Sequence, residues 1–138
     1  MKIRVVTGFA LAVAASAALG TAPAAAAEPA QVPCSLPTGG LVYCNFWVPG
    51  DGYSGGSPVA DGPYIVGYLP QGRNWIVCQQ EGPVTYLHGY PYYNKWFAWT
   101  TAENGNRGWV NAVTASGGDN NGKFANTPSC NGVHGSPY

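Results

Sequence analysis

Glycine and proline interrupt this chain every few positions after residue 27, and this spacing leaves no room for a long helix. The residues between them are those that favour pleated strands. Residues 28–138 hold all five tryptophans, all nine tyrosines and ten valines, against only four leucines. Each aromatic side chain can bury roughly 150–250 Å². The sequence therefore predicts an all-β domain whose core is built mainly from aromatic and valine side chains.

The first 27 residues have the three parts of a secretory signal. Lys2 and Arg4 precede an apolar stretch at 5–19, and an alanine-rich run with the small-x-small pattern of a cleavage site ends at Ala27. A membrane anchor is the alternative, and it is disfavoured because a span needs about 20 apolar residues. We predict cleavage after Ala27, a secreted chain that begins at Glu28, and no membrane span after cleavage.

Size and charge limit the classes of partner for the secreted chain. Its 111 residues correspond to one small domain, and its six acidic against four basic side chains give a net charge of −2. The basic residues are scattered, whereas binding to a phosphate backbone relies on clustered Lys and Arg. We therefore expect neither nucleic-acid binding nor electrostatic docking to a membrane.

The four cysteines all lie after the predicted cleavage site, and an even number in a small secreted domain predicts two disulfides. Three connectivities are possible. We favour Cys34–Cys44, which closes a local loop through the turn-forming residues 37–40, together with Cys78–Cys130, which pins the C-terminal tail to a central strand. A zinc site is disfavoured because the chain has no Cys-x-x-Cys pair and its histidines are remote. No metal and no cofactor are predicted.

Turn signals divide the secreted chain into a flexible leader at 28–40, a β domain at 41–130 and a tail at 131–138. Residues 49–62 are predicted to form a loop because they include five glycines and two prolines, and residues 81–83 are predicted to form a turn. Short strands at this spacing are typical of a small barrel or sandwich. The predicted strands are 41–48, 63–69, 73–80, 84–88, 95–101 and 107–113.

Three motifs along this strand pattern resemble those of bacterial SH3-like (Src-homology-3-like) domains. Val66-Gly67-x-Leu69-x-x-Gly72 leads into a hydrophobic strand, Trp96-Phe97 opens an aromatic strand, and Gly108-Trp109-Val110 follows a short turn. The resemblance covers about residues 41–130, which is most of the secreted chain.

The resemblance implies a small SH3-like barrel of about five to six short antiparallel strands, stapled by disulfides. In small secreted members a late cysteine pairs with one on the strand that here carries Cys78, in agreement with the Cys78–Cys130 pair. Bacterial SH3-like domains often bind cell-wall peptides or accompany wall enzymes. The resemblance thus implies a partner in the bacterial cell wall.

The chain shows no pattern of catalytic residues. Asp51, Asp61 and Glu81 each directly precede a glycine, a position typical of turn residues rather than of a buried general acid. The cysteines are assigned to disulfides, and neither a Gly-x-Ser-x-Gly elbow nor a His-Glu-x-x-His helix occurs. We predict that the protein is not an enzyme.

Seven aromatic residues crowd into positions 86–99. Those on the strand that begins at residue 95 are more typical of core, as is Trp109 on the return strand, where one face must be buried. The tyrosines around Pro91 lie in a loop, where an exposed ring offers a flat apolar face and a hydroxyl for recognition of peptide or sugar. The predicted ligand-binding residues are Tyr90, Tyr92 and Tyr93, with Trp96 and Trp99 within reach.

These features predict a secreted, non-catalytic binding module for cell-wall peptide or glycan. An alternative is a secreted inhibitor of a protease or glycosidase. Its target would be an extracellular protein, contacted by the stapled loop between Cys34 and Cys44 or by residues 89–94. A stapled loop is pre-organised and loses little entropy on binding. A third possibility is a structural envelope protein.

Overall fold

The computed structural model describes residues 24–47 and 56–137, and this part of the chain is all-β, as predicted. Its one helix is a short 3₁₀ turn at Ala112–Thr114, and no helix in these ranges is long and apolar enough to cross a membrane. The strands are β1 (Val42–Phe46), β2 (Ser57–Asp61), β3 (Tyr64–Leu69), β4 (Gly72–Ile76), β5 (Cys78–Tyr86), β6 (Tyr93–Thr101) and β7 (Arg107–Asn111).

These strands form two antiparallel sheets, one of β1 and β4 and one in the order β3-β2-β7-β6-β5. The sheets are linked at two places. β4 runs into β5 with only Val77 between them, and the Val77 N–H donates to the Trp99 carbonyl. Directly after the C-terminal end of β1, the Trp47 N–H donates to the carbonyl of Thr114, which follows β7. The predicted SH3-like barrel is a finer description than these two sheets establish, and it stays a prediction.

Both sheets contribute side chains to one main core. In β1 the alternation of the pleat buries Val42, Cys44 and Phe46 and turns Asn45 to solvent. Fully burying a large apolar side chain stabilises a fold by roughly 1.5–3 kcal/mol. The other strands add Val59, Leu69, Ile76, Ala98 and Val110 to this core.

Both disulfides have the predicted connectivity. Cys34 bonds to Cys44 across a sequence separation of 10 residues, and Cys78 bonds to Cys130 across 52 residues. The first ties the segment before β1 to β1 itself, and the second ties the start of β5 to the C-terminal tail. No cysteine is free.

A second buried cluster lies around Trp109, which is only 1% exposed, so the prediction that it belongs to the core is confirmed. The ring of Trp99 meets that of Trp109 at a centroid distance of 5.1 Å and an angle of 68°. The tail crosses this cluster, and the imidazole of His134 stacks on Trp99 at 4.4 Å. We call Trp99, Trp109 and His134 the covered cluster.

Part of the predicted leader is integrated into the domain. Val32 is fully buried in the main core and forms a parallel bridge with Phe124. Its N–H donates to the Lys123 carbonyl, and its carbonyl accepts from the Ala125 N–H. The folded part of the chain therefore begins before residue 41, where the sequence placed the start of the β domain.

The predicted loop at 49–62 is wrong at its C-terminal end, because Ser57–Asp61 is strand β2 between β3 and β7. Val59 and Ala60 are the residues of β2 that pair with β7. Pro58 lies just outside that pairing, and edge-like positions of this kind tolerate proline in a strand. Residues 49–55 of this predicted loop, and residue 48 at the end of the predicted first strand, lie outside the described residues.

The predicted turn at 81–83 is also wrong, because β5 continues through it with a β-bulge. A Cβ added to Gly82 would lie 2.9 Å from the ring of Phe97, so the glycine permits close contact rather than a reversal of the chain. Proline is accepted at a bulge because the ladder of hydrogen bonds is already interrupted there. The predicted strand at 84–88 is therefore the end of β5 and its exit, not a return strand.

Candidate functional site

Three aromatic rings meet at the surface near the β5–β6 turn. Tyr90 and Tyr92 are nearly parallel, with an interplanar angle of 11° and centroids 6.0 Å apart. Trp47 meets both edge-on, at 5.4 Å and 83° from Tyr90 and at 6.3 Å and 77° from Tyr92. The tyrosines remain 43% and 46% exposed. We call Trp47, Tyr90 and Tyr92 the aromatic platform.

The turn that carries the two tyrosines is fixed at its base. Leu87 is buried, its N–H donates to the Tyr92 carbonyl at 3.0 Å, and its carbonyl accepts from the Tyr90 N–H at 3.1 Å. Gly89 adopts a φ of 82°, in the left-handed region that favours glycine. The backbone under the rings is thus hydrogen-bonded while the rings themselves stay exposed.

Trp47 reaches the platform from a distant part of the chain. It directly follows β1, and its backbone is held by the 2.7 Å hydrogen bond from its N–H to the Thr114 carbonyl. Its side chain is half-buried. The sequence offered no signal for this residue, because nothing local to Trp47 indicates that β1 ends beside the β5–β6 turn.

A cleft of about 650 Å³ adjoins the platform. Its lining includes the side chains of Trp47, Pro91 and Tyr92 and residues of the 3₁₀ helix. The lining also includes the segment 116–120, which we call the glycine loop. The volume falls within the roughly 300–1,000 Å³ typical of ligand sites, which are usually apolar with a few polar groups.

The glycine loop is tied to the start of β6 through Asn120. The Asn120 Oδ1 accepts from the Tyr93 N–H at 3.1 Å, and its Nδ2 donates to the Pro91 carbonyl at 3.2 Å. Asp119 ties the same loop to the N-terminal segment, since its Oδ2 accepts from the Ala30 N–H at 3.0 Å and its N–H donates to the Ala30 carbonyl at 2.9 Å. Both polar side chains therefore serve the protein's own backbone.

The cleft holds little charge. Among the described residues that line it, Asp119 is the one charged side chain, and it is engaged with Ala30. The basic groups of Lys95 and Arg73 are used elsewhere. Lys95 forms a 3.0 Å salt bridge with Glu81, and the Arg73 guanidinium lies 4.4 Å above the ring of Tyr43. The site is therefore suited to a ligand that needs no countercharge.

Two of the predicted site residues lie where the sequence placed them, since Tyr90 and Tyr92 are exposed as expected. Tyr93 differs: it is the first residue of β6, it is half-buried, and its ring pairs with Tyr86 at 5.6 Å. The tryptophan ring that the exposed pair contacts is Trp47, and the predicted proximity of these tyrosines to Trp96 or Trp99 stays a prediction.

Trp96 and Trp99 do not join the platform, and the reason lies in strand geometry. Residues three apart on a strand point to opposite faces, because side chains alternate. Trp96 packs against the main core, whereas Trp99 belongs to the covered cluster. These two predicted site residues are therefore parts of two separate buried regions.

No group of three or more His, Cys, Asp or Glu side chains within 24–47 and 56–137 is arranged to hold a metal ion. Comparison of the chain with protein-family models, with curated proteins and with solved structures finds no match. The aromatic platform and the cleft are therefore the features of this molecule that bear on its function.

Proposed function

We propose that this protein is a secreted, non-catalytic module that binds cell-wall peptide or glycan through the aromatic platform and its cleft. The observation that carries the proposal is the pair of exposed, parallel tyrosine rings held against Trp47 at the edge of a nearly uncharged cleft. Aromatic rings left exposed beside a concave surface are typical of recognition sites, because they offer contact area at small cost in entropy.

Secretion is part of this proposal. It is supported by the predicted signal at 1–27, of which residues 1–23 lie outside the described residues, and by the two disulfides, which suit an oxidising compartment.

The SH3-like barrel is likewise proposed. It is supported by six of the seven described strands, which contribute side chains to one main core, and by the links between the two sheets, through Val77 and through the Trp47–Thr114 hydrogen bond. An experimental structure is the test: strands that close around this core would support the barrel, and two sheets with open edges would contradict it.

Co-sedimentation of the secreted chain, residues 28–138, with purified insoluble cell wall tests the binding function. The platform variant Tyr90→Ser/Tyr92→Ser removes both exposed rings. Its matched control is Tyr64→Ser, because Tyr64 is 73% exposed on β3 and does not line the cleft. We expect the wild type and the control to sediment with the wall and the platform variant to bind at least about tenfold more weakly, a loss of about 1.4 kcal/mol.

Two results would contradict the proposal. One is a wild-type protein that stays in the supernatant at every wall concentration. The other is a platform variant that sediments as well as the Tyr64→Ser control, since the rings would then have no part in binding.

A hydrolase inhibitor is the second candidate, and one observation favours it. Leu36 is 74% exposed in the loop closed by Cys34–Cys44. The loop is further held by hydrogen bonds between Ser35 and Tyr43, in which the Ser35 N–H donates to the Tyr43 carbonyl and the Tyr43 N–H donates to the Ser35 Oγ. A rigid loop that presents one apolar side chain suits the substrate cleft of a protease.

A panel of protease and glycosidase assays tests this candidate. Inhibition by the wild type that is lost in Leu36→Ser and retained in the platform variant would support it. The absence of inhibition across the panel, together with wall binding, would leave the binding module as the better account.

A further inference from the structure

Resting on the proposed wall-binding function, we infer that the cleft takes the uncharged glycan strand of the wall rather than its peptides or its anionic polymers. Four properties of the platform and its cleft favour a glycan: the orientation of the rings, the charge of the lining, the free hydrogen-bonding groups and the rigidity of the glycine loop.

The rings of the platform suit sugar units. A pyranose ring has a flat face of C–H bonds, which carry a small positive charge, and the face of an aromatic ring is negative. Tyr90 and Tyr92 stack at an interplanar angle of 11°, so a flat ligand can add to this stack in a parallel orientation. Trp47 supports both rings edge-on and limits their rotation. A chain of flat, rigid rings matches this surface better than a flexible peptide does.

The charge of the lining disfavours the anionic components of a wall. Stem peptides end in carboxylates, and anionic wall polymers carry phosphates, so both need cationic partners. The described lining of the cleft has no Lys or Arg, and its one charged side chain is the carboxylate of Asp119. Residues 28–138 also carry a net charge of −2. Like charges across an interface weaken binding, so this cleft discriminates against an anion.

The free polar groups of the cleft are neutral. Among the described residues, nothing accepts a hydrogen bond from the N–H groups of Gly117 and Gly118, and the Ser116 hydroxyl has no partner. Sugar hydroxyl and acetamide groups both donate and accept, so they can satisfy such groups. An extended peptide that adds to a sheet needs a free strand edge. The glycine loop is not one, since Gly117 and Gly118 have φ angles of 82° and 79°.

The glycine loop is also held at a fixed distance from the platform. A Cβ added to Gly118 would lie 2.9 Å from the backbone nitrogen of Val32, and one added to Gly117 would lie 2.8 Å from the ring of Pro33. The loop therefore lies directly on the N-terminal segment, to which Asp119 also bonds through Ala30. A pre-organised wall of this kind loses little entropy when a rigid glycan binds.

Competition between purified wall fractions tests the inference. One fraction holds peptide-free glycan strands, released after an amidase has removed the stem peptides and made uncharged by amidation of the lactyl carboxylates that this hydrolysis exposes. The other fraction holds the glycan-free stem peptides. Each is added to the co-sedimentation assay with the intact wall and is also titrated against tryptophan fluorescence. We expect glycan strands to displace the protein at a concentration at least about tenfold lower than stem peptides.

The fluorescence change on adding glycan strands should come from Trp47. We expect it to disappear in Trp47→Phe and in the platform variant and to persist in Tyr64→Ser. Because the ligand is uncharged, the affinity should change less than about twofold between low and high salt, whereas contacts between charges weaken strongly as salt screens them.

The outcomes separate this inference from the proposed function. Displacement by stem peptides and not by glycan strands overturns the inference, and so does displacement by neither fraction while the wild type still sediments with intact wall. In both cases the wall-binding function survives. Failure of the wild type to sediment with any wall preparation overturns both.

Discussion

The aromatic platform and the covered cluster are alike in composition and differ in what lies over them. In each, a tryptophan meets a neighbouring aromatic ring edge-on at a similar distance, 5.4 Å for Trp47 and Tyr90 and 5.1 Å for Trp99 and Trp109. The covered cluster has the C-terminal tail across it, with His134 stacked on Trp99. Tyr90 and Tyr92 in the aromatic platform instead remain 43% and 46% exposed.

Coverage by the C-terminal tail, rather than ring type or ring geometry, therefore separates the covered cluster from the exposed platform. The cover is held by the Cys78–Cys130 disulfide and by the hydrogen bond that the Gln80 Nε2 donates to the Gly135 carbonyl at 2.9 Å. Burial of the rings in the covered cluster stabilises the fold, whereas the exposed rings of the aromatic platform stay accessible to a ligand.

The largest expected effect is on the covered cluster. Trp109→Ala removes a fully buried indole and should lower the free energy of unfolding by about 3–5 kcal/mol, as for other large-to-small changes in cores. Trp47→Ala, in the half-buried platform, is the matched change and should cost clearly less. Urea unfolding of both variants measures the difference. Equal losses would show that the two clusters do not differ in the way described.

Removal of the disulfide that holds the C-terminal tail over the covered cluster is expected to cause the next largest loss of stability. Cys78→Ala/Cys130→Ala opens the longer loop and should cost about 4 kcal/mol, whereas Cys34→Ala/Cys44→Ala should cost about 3 kcal/mol, because loop-closure entropy rises with loop length. The first variant should also shift tryptophan emission to the red as Trp99 becomes exposed. A greater loss of stability from the shorter loop would contradict the role assigned to the tail.

A smaller effect is expected in the glycine loop beside the platform. Gly118→Ala places a Cβ against the Val32 backbone at a φ of 79° and should cost about 1–3 kcal/mol and weaken wall binding. Gly105→Ala is the matched control, because Gly105 has a similar φ of 86° with nothing within 4 Å of its added Cβ. Wall binding that is equal in the two variants would separate the glycine loop from the site.

The smallest effect on stability is expected on the platform itself. Tyr90→Ser/Tyr92→Ser should lower the free energy of unfolding by about 1 kcal/mol, since both residues are nearly half exposed and bury less area than core residues. Thermal unfolding followed by circular dichroism measures this change. A variant that unfolds cooperatively at a much lower temperature would mean that these rings belong to the core.

Most of the features that were predicted correctly from the sequence depend on composition or on short-range chemistry, and the long-range Cys78–Cys130 pair is the exception. The all-β class follows from the density of glycine and proline among valines and aromatic residues, which acts along the whole chain. The Cys34–Cys44 pair closes a local turn, and Trp109 lies on a return strand that must bury one face. None of these predictions requires knowledge of which distant strands meet.

The features that sequence reasoning missed depend on long-range contacts. Trp47 enters the site because β1 ends beside Thr114, and no local pattern indicates this pairing. The separation of Trp96 from Trp99 did have a signal, since a spacing of three on a predicted strand places two side chains on opposite faces. That signal was outweighed by the density of aromatic residues in the segment.

Glycine and proline can mark either a turn or a position inside a continuous strand, and the sequence alone does not distinguish these two roles. At Gly82 the missing side chain permits contact with Phe97 inside a continuous strand, although the Gly-Pro pair is typical of a turn. At Pro58 the strand continues on either side of a residue that usually ends one. Whether such a residue ends a strand or lies within one depends on its contacts with the neighbouring strand.

The pairing of Val32 with Phe124 has a consequence for the order in which the domain assembles. Synthesis proceeds from the N-terminus, so Val32 emerges well before its bridge partner Phe124. Pairing between such distant segments is slow, because the intervening chain must first be brought together. The main core therefore stays incomplete until Phe124 has been released. A chain that threads through a translocon would complete this core only after Phe124 has passed.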